Sequence, residues 1–383
     1  MPWKESHVVE LRTEFVMRAQ KRELPFVRLC EEYKISAKTG YKWIARFEED
    51  GTRGLVKQSR RPMSSPRQAC EEEVCRIVLL KHAHRSWGPK KIRELFARQC
   101  SEAPSLSTVK RILKKAGLVE ERSRRRAAYC GRIENRVTAS APNEVWTTDF
   151  KGWWYSTDKQ RVTPLTVQDA YSRYLLCAEI VPDARTETVQ KSFERLFEQY
   201  GVPKAIRSDN GPPFASTRSP LGLSRLSAWW VSQGINLDRI RPGHPEENGV
   251  HERMHRDLES EVAETLECKW DEQQPVLDMW RRERNEERPH EALGMRVPAE
   301  VYKKSERKWE RESEVEYPQE YMRRRTNAAG QIRLKGIMLT ISRTLSGWDV
   351  GLKRVSAKSY SVWFGPLCVG LVDLENEAFQ AAQ

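Results

Sequence analysis

The stretch EVWTTDFKGWW, residues 144–154, decides how the chain is read. Val145, Trp146, Thr147, Thr148 and Phe150 are β-branched or aromatic, which is the composition of a strand. Asp149 sits inside that strand, and a carboxylate among apolar neighbours needs compensation. A bound cation supplies it; so would a turn or an arginine. RVTPLTVQDA (161–170) and YLLCAEIV (174–181) follow as two more strands. Thr186 to Tyr200 is an amphipathic helix, with Val189, Phe193 and Phe197 at helical spacing. The short strand AIRSDNG (205–211) brings Asp209 to its end, and Asn210-Gly211 turns the chain beyond it. A helix near Leu226–Gln233 and a strand NLDRIRP (236–242) complete the run. Three strands, then helix, strand, helix, strand and helix, predict a central α/β fold with a mixed sheet, not a doubly wound one.

The next segment, RPGHPEENGVHERMHRDL (241–258), is crowded with charge. Asn248-Gly249 breaks the chain and starts a helix on which Val250, Met254, Leu258 and Val262 form an apolar stripe. Glu252, His255, Arg256 and Glu259 are expected on the opposite side, and Asp257 falls close to the stripe. Glu246 and Glu247 precede the helix, where they complement its dipole. Glu252, in the first turn of the polar face, is therefore the carboxylate best placed to meet Asp149 and Asp209. Mg²⁺ takes a few carboxylates plus water and phosphate oxygens. A pair of such ions clamps the attacking and leaving oxygens of an in-line displacement at phosphorus. Asp169, in VQDAYSR, has the surroundings of a turn and is expected to be structural.

Upstream, FVRLCEEYKISAKTGYKWIARF (26–47) has helix-turn-helix rhythm. Ser36 is a natural N-cap, Gly40, Ile44 and Phe47 face inward, and Lys38, Thr39, Lys42 and Arg46 face outward toward bases and phosphates. After a polar loop at 57–68, a second helical unit repeats the theme. Pro89 opens one helix, Val109, Ile112 and Leu113 face inward on the next, and Lys110, Arg111, Lys114 and Lys115 face outward. Cys70, Cys75, His82 and His84 do not have zinc-site spacing, because five residues on a helix turn the two cysteines to different faces. The run RSRRR lies in an aperiodic linker. Beyond a helical stretch at 270–304, the short strands IRLKGIMLTI, WDVGLKRV and SVWFGPLCVGLV predict a C-terminal small β-barrel. The expected domains are thus 1–56 and 57–118 for the two all-α helix-turn-helix modules, 119–141 for a basic linker, 142–305 for the catalytic core and 306–383 for the β domain.

Net charge is +13 over 383 residues, but residues 1–141 carry +15 and residues 142–300 carry −6. A basic front attracts a polyanion, and an acidic middle suits cations held by carboxylates. Eight scattered cysteines fit reduced thiols in the cytoplasm better than a disulfide framework. No apolar run reaches eighteen residues, and the N-terminus is amphipathic, so neither a membrane span nor a secretory leader is expected.

Four ordered motifs carry a resemblance: WTTDF at 146–150, DAYSR at 169–173, SDNGPPF at 208–214 and NGVHERMHR at 248–256. With ERPHEALG at 287–294 and both helix-turn-helix modules, the chain resembles the integrase-core (DDE) transposases of bacterial insertion sequences, relatives of retroviral integrases, over nearly its whole length. The resemblance implies an RNase H-like core with Asp149, Asp209 and Glu252 as catalytic and metal-binding residues, using Mg²⁺ or Mn²⁺. It implies cutting and joining of double-stranded DNA, at terminal inverted repeats and at a target, by at least a homodimer associated with the bacterial nucleoid. His255 and Arg256 would contact phosphates. Two departures stand out. Asp209 and Glu252 are 43 positions apart, longer than usual for the class, and Glu259 stands where many relatives carry Lys or Arg. A DNA-binding regulator derived from a transposase and a cut-only RNase H-like nuclease are the competing readings.

Overall fold

The computed structural model describes residues 8–56, 69–119, 138–262, 268–311 and 314–382. The polar loop at 57–68 and the RSRRR run of the linker lie outside them. The chain divides into two compact units, Met1–Gln68 and Ala69–Gln383.

In the first unit, α1 (Val8–Lys21), α2 (Phe26–Glu32) and α3 (Ala37–Asp50) enclose a small core of Phe15, Val16, Leu29, Cys30 and Leu55. Ser36 caps α3 as expected, its Oγ accepting from the Thr39 N–H at 3.3 Å. The helices pack closely at Gly40: a Cβ there would lie 2.8 Å from Cys30 Sγ and 2.8 Å from the Phe26 ring. Any side chain at this position would force them apart.

The second unit begins with α4 (Glu71–Ala83), α5 (Pro89–Gln99) and α6 (Leu106–Lys115), packed around Ile77, Trp87, Ile92, Phe96, Val109 and Leu113. Ser105 caps α6, and Gly117, at φ +70°, ends it. Cys70 and Cys75 are both exposed free thiols, and among the described residues no three His, Cys, Asp or Glu side chains are gathered closely enough to hold a metal ion.

The central sheet comprises β1 (Val145–Phe150), β2 (Trp154–Tyr155), β3 (Arg161–Asp169), β4 (Leu175–Val181), β5 (Ala205–Ser208) and β6 (Asn236–Arg239). Its order is β4-β3-β1-β5-β6, with β2 paired to the start of β3. β1–β3 and β3–β4 are antiparallel, whereas β1–β5 and β5–β6 are parallel. This is the mixed sheet of an RNase H-like core. The opening stretch is not one strand: Gly152, at φ +96°, turns the chain, and the two tryptophans after it leave the sheet's main ladder.

Helices α7 (Thr186–Tyr200) and α8 (Arg225–Ser232) cover one face, with Trp146, Phe193, Phe197 and Trp230 buried between. Helices α9 (Gly249–Val262) and α10 (Trp270–Glu286) cover the other, burying Met254, Leu258, Val262, Leu277 and Trp280. The apolar stripe expected on α9 is thus the seam of that layer. A short α11 (Pro298–Val301) follows.

The second helical module docks on α9, α10 and the turn after α10 through polar contacts. His84 Nδ1 lies 2.8 Å from Glu283, Lys90 Nζ 2.7 Å from Glu291, and Ser86 hydrogen-bonds Glu261. Glu261 also holds Arg288, while Asp257 holds Arg284 and Arg288. Asp257 is therefore consumed structurally, as its position near the apolar stripe implies. Arg284 and Arg288 are buried, so their partners matter. Glu261→Gln is expected to cost about 2 kcal/mol, because it leaves a buried guanidinium short of its charge-assisted acceptor; urea unfolding of the two proteins measures the difference.

At the C-terminus, β7 (Met322–Arg325), β8 (Gln331–Leu334), β9 (Ile337–Thr340), β10 (Asp349–Arg354), β11 (Ser359–Phe364), β12 (Leu367–Asp373) and β13 (Ala378–Ala381) form antiparallel sheets. The ladder runs β13-β12-β11-β10-β7, and β8–β9 is a separate hairpin. Closure into the expected barrel is not among these pairings; β7 is exposed at every position and forms an edge. Leu223, Ala228 and Val231 share a core with this domain. No helix among the described residues is long and apolar enough to cross a membrane.

Candidate active site

Strand alternation decides what faces the site. Trp146 enters the core under α7, so Val145, Thr147 and Asp149 point to the α9 face. β5 pairs with β1 in parallel, Trp146 beside Ile206 and Thr147 beside Arg207. Carried two residues further, the same register sets Asp209 level with Asp149. Asp209 is one residue beyond the end of β5, where Gly211 N–H donates to its Oδ1 at 3.1 Å. Asn210 Nδ2 donates to Ile240 O at 2.6 Å and joins that turn to the one after β6. A Cβ on Gly211 would lie 3.1 Å from Asp209 Oδ2, so the turn tolerates little there.

Glu252 comes from the first turn of α9 and is exposed. Asp149, Asp209 and Glu252 line one cavity of 330 Å³, together with Asn210, Arg241, His244 and Asn248. They share a cavity without closing on a common point as they stand. Burial pushes the Asp149 carboxyl up to about 7, and the nearby charges of Asp209 and Glu252 push it the same way. The site thus concentrates negative charge at Asp149 that Lys151 offsets only in part. Asn248, buried on the cavity wall, has an Oδ1 with no hydrogen-bond partner among the described residues. Carboxylate and amide oxygens are the donors that hard divalent cations prefer, so the donor types lining this cavity suit a divalent metal ion.

A buried polar cluster anchors α9 to the sheet. His251 is fully buried; its Nδ1 lies 2.8 Å from Thr147 Oγ1 and its Nε2 2.7 Å from Thr166 Oγ1. His255 Nε2 lies 2.8 Å from the same Thr166 hydroxyl, which also reaches Asp149 O at 2.9 Å. A consistent proton assignment has both histidines donate from Nε2, Thr166 donate to the Asp149 carbonyl, and the Thr147 hydroxyl proton shared between His251 Nδ1 and the Gln168 carbonyl, 3.2 Å away. Burial holds both imidazoles neutral, His251 well below the usual range and His255 at about 3. The expectation that His255 contacts phosphate is therefore corrected. It lies under the helix, because Thr166 gives its ring a buried partner. Thr166→Val should cost about 2 kcal/mol by orphaning two buried imidazole donors, read as a lower melting temperature at pH 8.

The other expected contacts divide by exposure. Arg256 is exposed on α9, and Lys110, Arg111, Lys114 and Lys115 are exposed on α6. Lys38 and Lys42 are exposed on α3, whereas Thr39 is half-buried against its cap and Arg46 is half-buried beside the Trp43 ring. Glu259 is answered by Lys151, 3.3 Å away. Asp169 is fully buried and accepts from Asn143 N–H, Ser172 N–H and the Ser172 hydroxyl, the structural role expected of it. Glu247 is taken up by Arg241, and Glu246 by His244. His251, Thr147, Thr166 and Asn248 carried no functional expectation. The i, i+4 histidine pair and the alternation of VWTTDF were the signals that could have marked the first two.

Residues 139–245 match the integrase core domain family, and a second integrase core family matches 233–298. A homeodomain-like family matches 39–113 and a helix-turn-helix family 11–63. The chain is 30% identical over 233 residues to an uncharacterized 31.7 kDa protein of insertion element IS407 from Burkholderia multivorans, covering 60% of this chain and 81% of that protein. It is 28% identical over 254 residues to an uncharacterized 39.2 kDa protein of insertion element IS476 from Xanthomonas euvesicatoria, covering 64% and 69%. The catalytic core domain of BIV integrase aligns with a TM-score of 0.33 at 25% identity, over 42% of this chain and 93% of that one. Fold and relatives define an integrase-core enzyme of the polynucleotidyl transferase class. Within it, the chain belongs to the transposase family of bacterial insertion elements.

Proposed function

We propose that the protein binds the terminal inverted repeats of an insertion sequence, cleaves the DNA ends and joins the freed 3′-OH to target DNA. The observation that carries this reading is the shared cavity: three carboxylates from a strand, a strand end and a helix line it. Asp149, Asp209 and Glu252 would hold divalent cations, Mg²⁺ or Mn²⁺, which when bound lower the pKa of water and neutralise charge developing at phosphorus. The chain's own part is to fix those carboxylates. β1 and β5 set two of them level, Asn210 and Gly211 brace the turn, and His251 and His255 hold the helix of the third. Hydrolysis of one phosphodiester frees the 3′-OH, and attack of that hydroxyl on a target phosphodiester forms one new bond as one is broken.

The modules at 1–56 and 57–118 would read the repeat. Lys38, Thr39, Lys42 and Arg46 on α3, and Lys110, Arg111, Lys114 and Lys115 on α6, would meet bases and phosphates, with Arg256 near the cut. The linker 119–141 would join them to the core at 142–305, and 306–383 would form the accessory β domain. Two ends must be held at once, which needs at least a homodimer, acting on DNA in the bacterial cytoplasm. Protein, Mg²⁺, a labelled element end and supercoiled plasmid test the reading together. Joined product supports it; cuts without joining indicate a nuclease, and binding alone indicates a regulator.

A further inference from the structure

The hairpin that leaves the active-site end of β1 carries an unusual surface. β3 extends past Phe150, which pairs with Leu165, so Arg161–Thr163 and their partner β2 project beyond the end of β1 that holds Asp149. Alternation divides the hairpin. Trp154 and Val162 face inward, with Trp154 Nε1 donating to Gln273 at 2.9 Å and Val162 fully buried. Trp153, Tyr155 and Arg161 face outward, Tyr155 and Arg161 directly opposite in the ladder. Trp153 is 55% exposed and Tyr155 62%. Among the described residues, Trp153 is the only tryptophan in the exposed class. Their rings meet edge to face, centroids 5.3 Å apart, and the Arg161 guanidinium lies 5.1 Å from the Trp153 ring centre.

Cross-strand contacts alone account for part of this cluster, but a ribbon with one wet face needs few large aromatic rings on it, and here two stand side by side. Exposed rings interleaved with cations are how proteins hold unpaired nucleotides: the rings stack bases, and the cations meet the backbone. Lys151 and Lys159 flank the patch in sequence, so its charge suits a polyanion. Trp153 lies four residues beyond Asp149, so at most about 14 Å of extended chain separates them. We infer that Trp153 and Tyr155, steadied by Arg161, form a stacking platform for an unpaired DNA base next to the phosphodiester that is cut. That location rests on the function proposed above. The chemistry favours a nucleobase over a protein partner because the Arg161 guanidinium lies against the Trp153 ring and the patch borders the carboxylate cavity's own strand.

The test uses the full-length protein and an element-end duplex with 5-iodouracil at single positions around the cleavage site. Irradiation should cross-link one or two of these positions to Trp153 or Tyr155, and W153A/Y155A should lose the cross-link while still binding the duplex. The same variant should cut a fully paired end about 5- to 150-fold more slowly, the range for one base stacked on an aromatic ring. An end mispaired at those nucleotides should regain most of that loss, which a merely structural role would not produce. Bound duplex with no cross-link to the hairpin overturns the platform. So does a variant whose chief change is loss of self-association without DNA, because the patch would then be a protein contact. Cross-linking by a wild-type protein that never cuts supports the platform and overturns the cleavage proposal instead.

Discussion

Asp149→Asn is expected to lower strand cleavage by more than about 10³-fold, the scale of losing a principal charge-stabilising group at a reacting phosphate. Binding of the inverted repeat should be unchanged, because the helix-turn-helix modules lie elsewhere in the chain. The substitution is also close to isosteric. The Phe150 N–H now donating to Asp149 Oδ1 at 2.8 Å keeps an acceptor, and the Asp149 carbonyl keeps Thr166. In metal-free protein the change should even be mildly stabilising at pH 8. Asp149 is raised to about 7, so its contribution to stability is present at acid pH and lost as pH rises through 7. Gel shift and cleavage measured on the same preparation decide the matter. A variant that loses binding and cleavage together would indicate misfolding.

The second large effect is acid lability. His251, His255 and His290 are held neutral by burial, His255 at about 3 and His290 at about 2. A depressed histidine contributes stability above its unfolded value near 6.5 and loses it as pH falls below that. At pH 5.5 each costs about 1.4 kcal/mol, so the three together cost about 4 kcal/mol relative to pH 8. Asp149 works in the opposite sense over this window and would mask part of the loss. Denaturant unfolding of the Asp149→Asn protein at the two pH values removes that offset. A second variant, His290→Gln, should flatten the slope by one proton. An equal stability at pH 8 and 5.5 would mean that these imidazoles are not buried and neutral.

The succession of strands and helices along the core was legible because each element carried its own period; their order in the sheet was not. Val189, Phe193 and Phe197 repeat as a helix, and the predicted span Thr186–Tyr200 is the observed α7. Ser36 marks a helix start by local hydrogen bonding, which needs no distant partner. Asp149, Asp209 and Glu252 could be singled out because a carboxylate on a strand, at a strand end and in a first helical turn has a fixed direction. The barrel was less legible, since closure depends on how edge strands meet, and β7 and β13 carry no local sign of it.

The sequence by itself determined the periods of the core elements, the Ser36 cap and the placing of Asp149, Asp209 and Glu252 on a strand, a strand end and a first helical turn, because these depend on periodicity and on neighbours a few residues away. Only the tertiary structure decided that His255 lies beneath α9 and that Asp257 and Glu261 are spent on Arg284 and Arg288. It also decided that Trp153 and Tyr155 stand in solvent while Trp154 does not. A polar or aromatic side chain looks the same in the sequence whether it meets water or a buried partner. That choice is made by residues far along the chain, brought close only when the layers close.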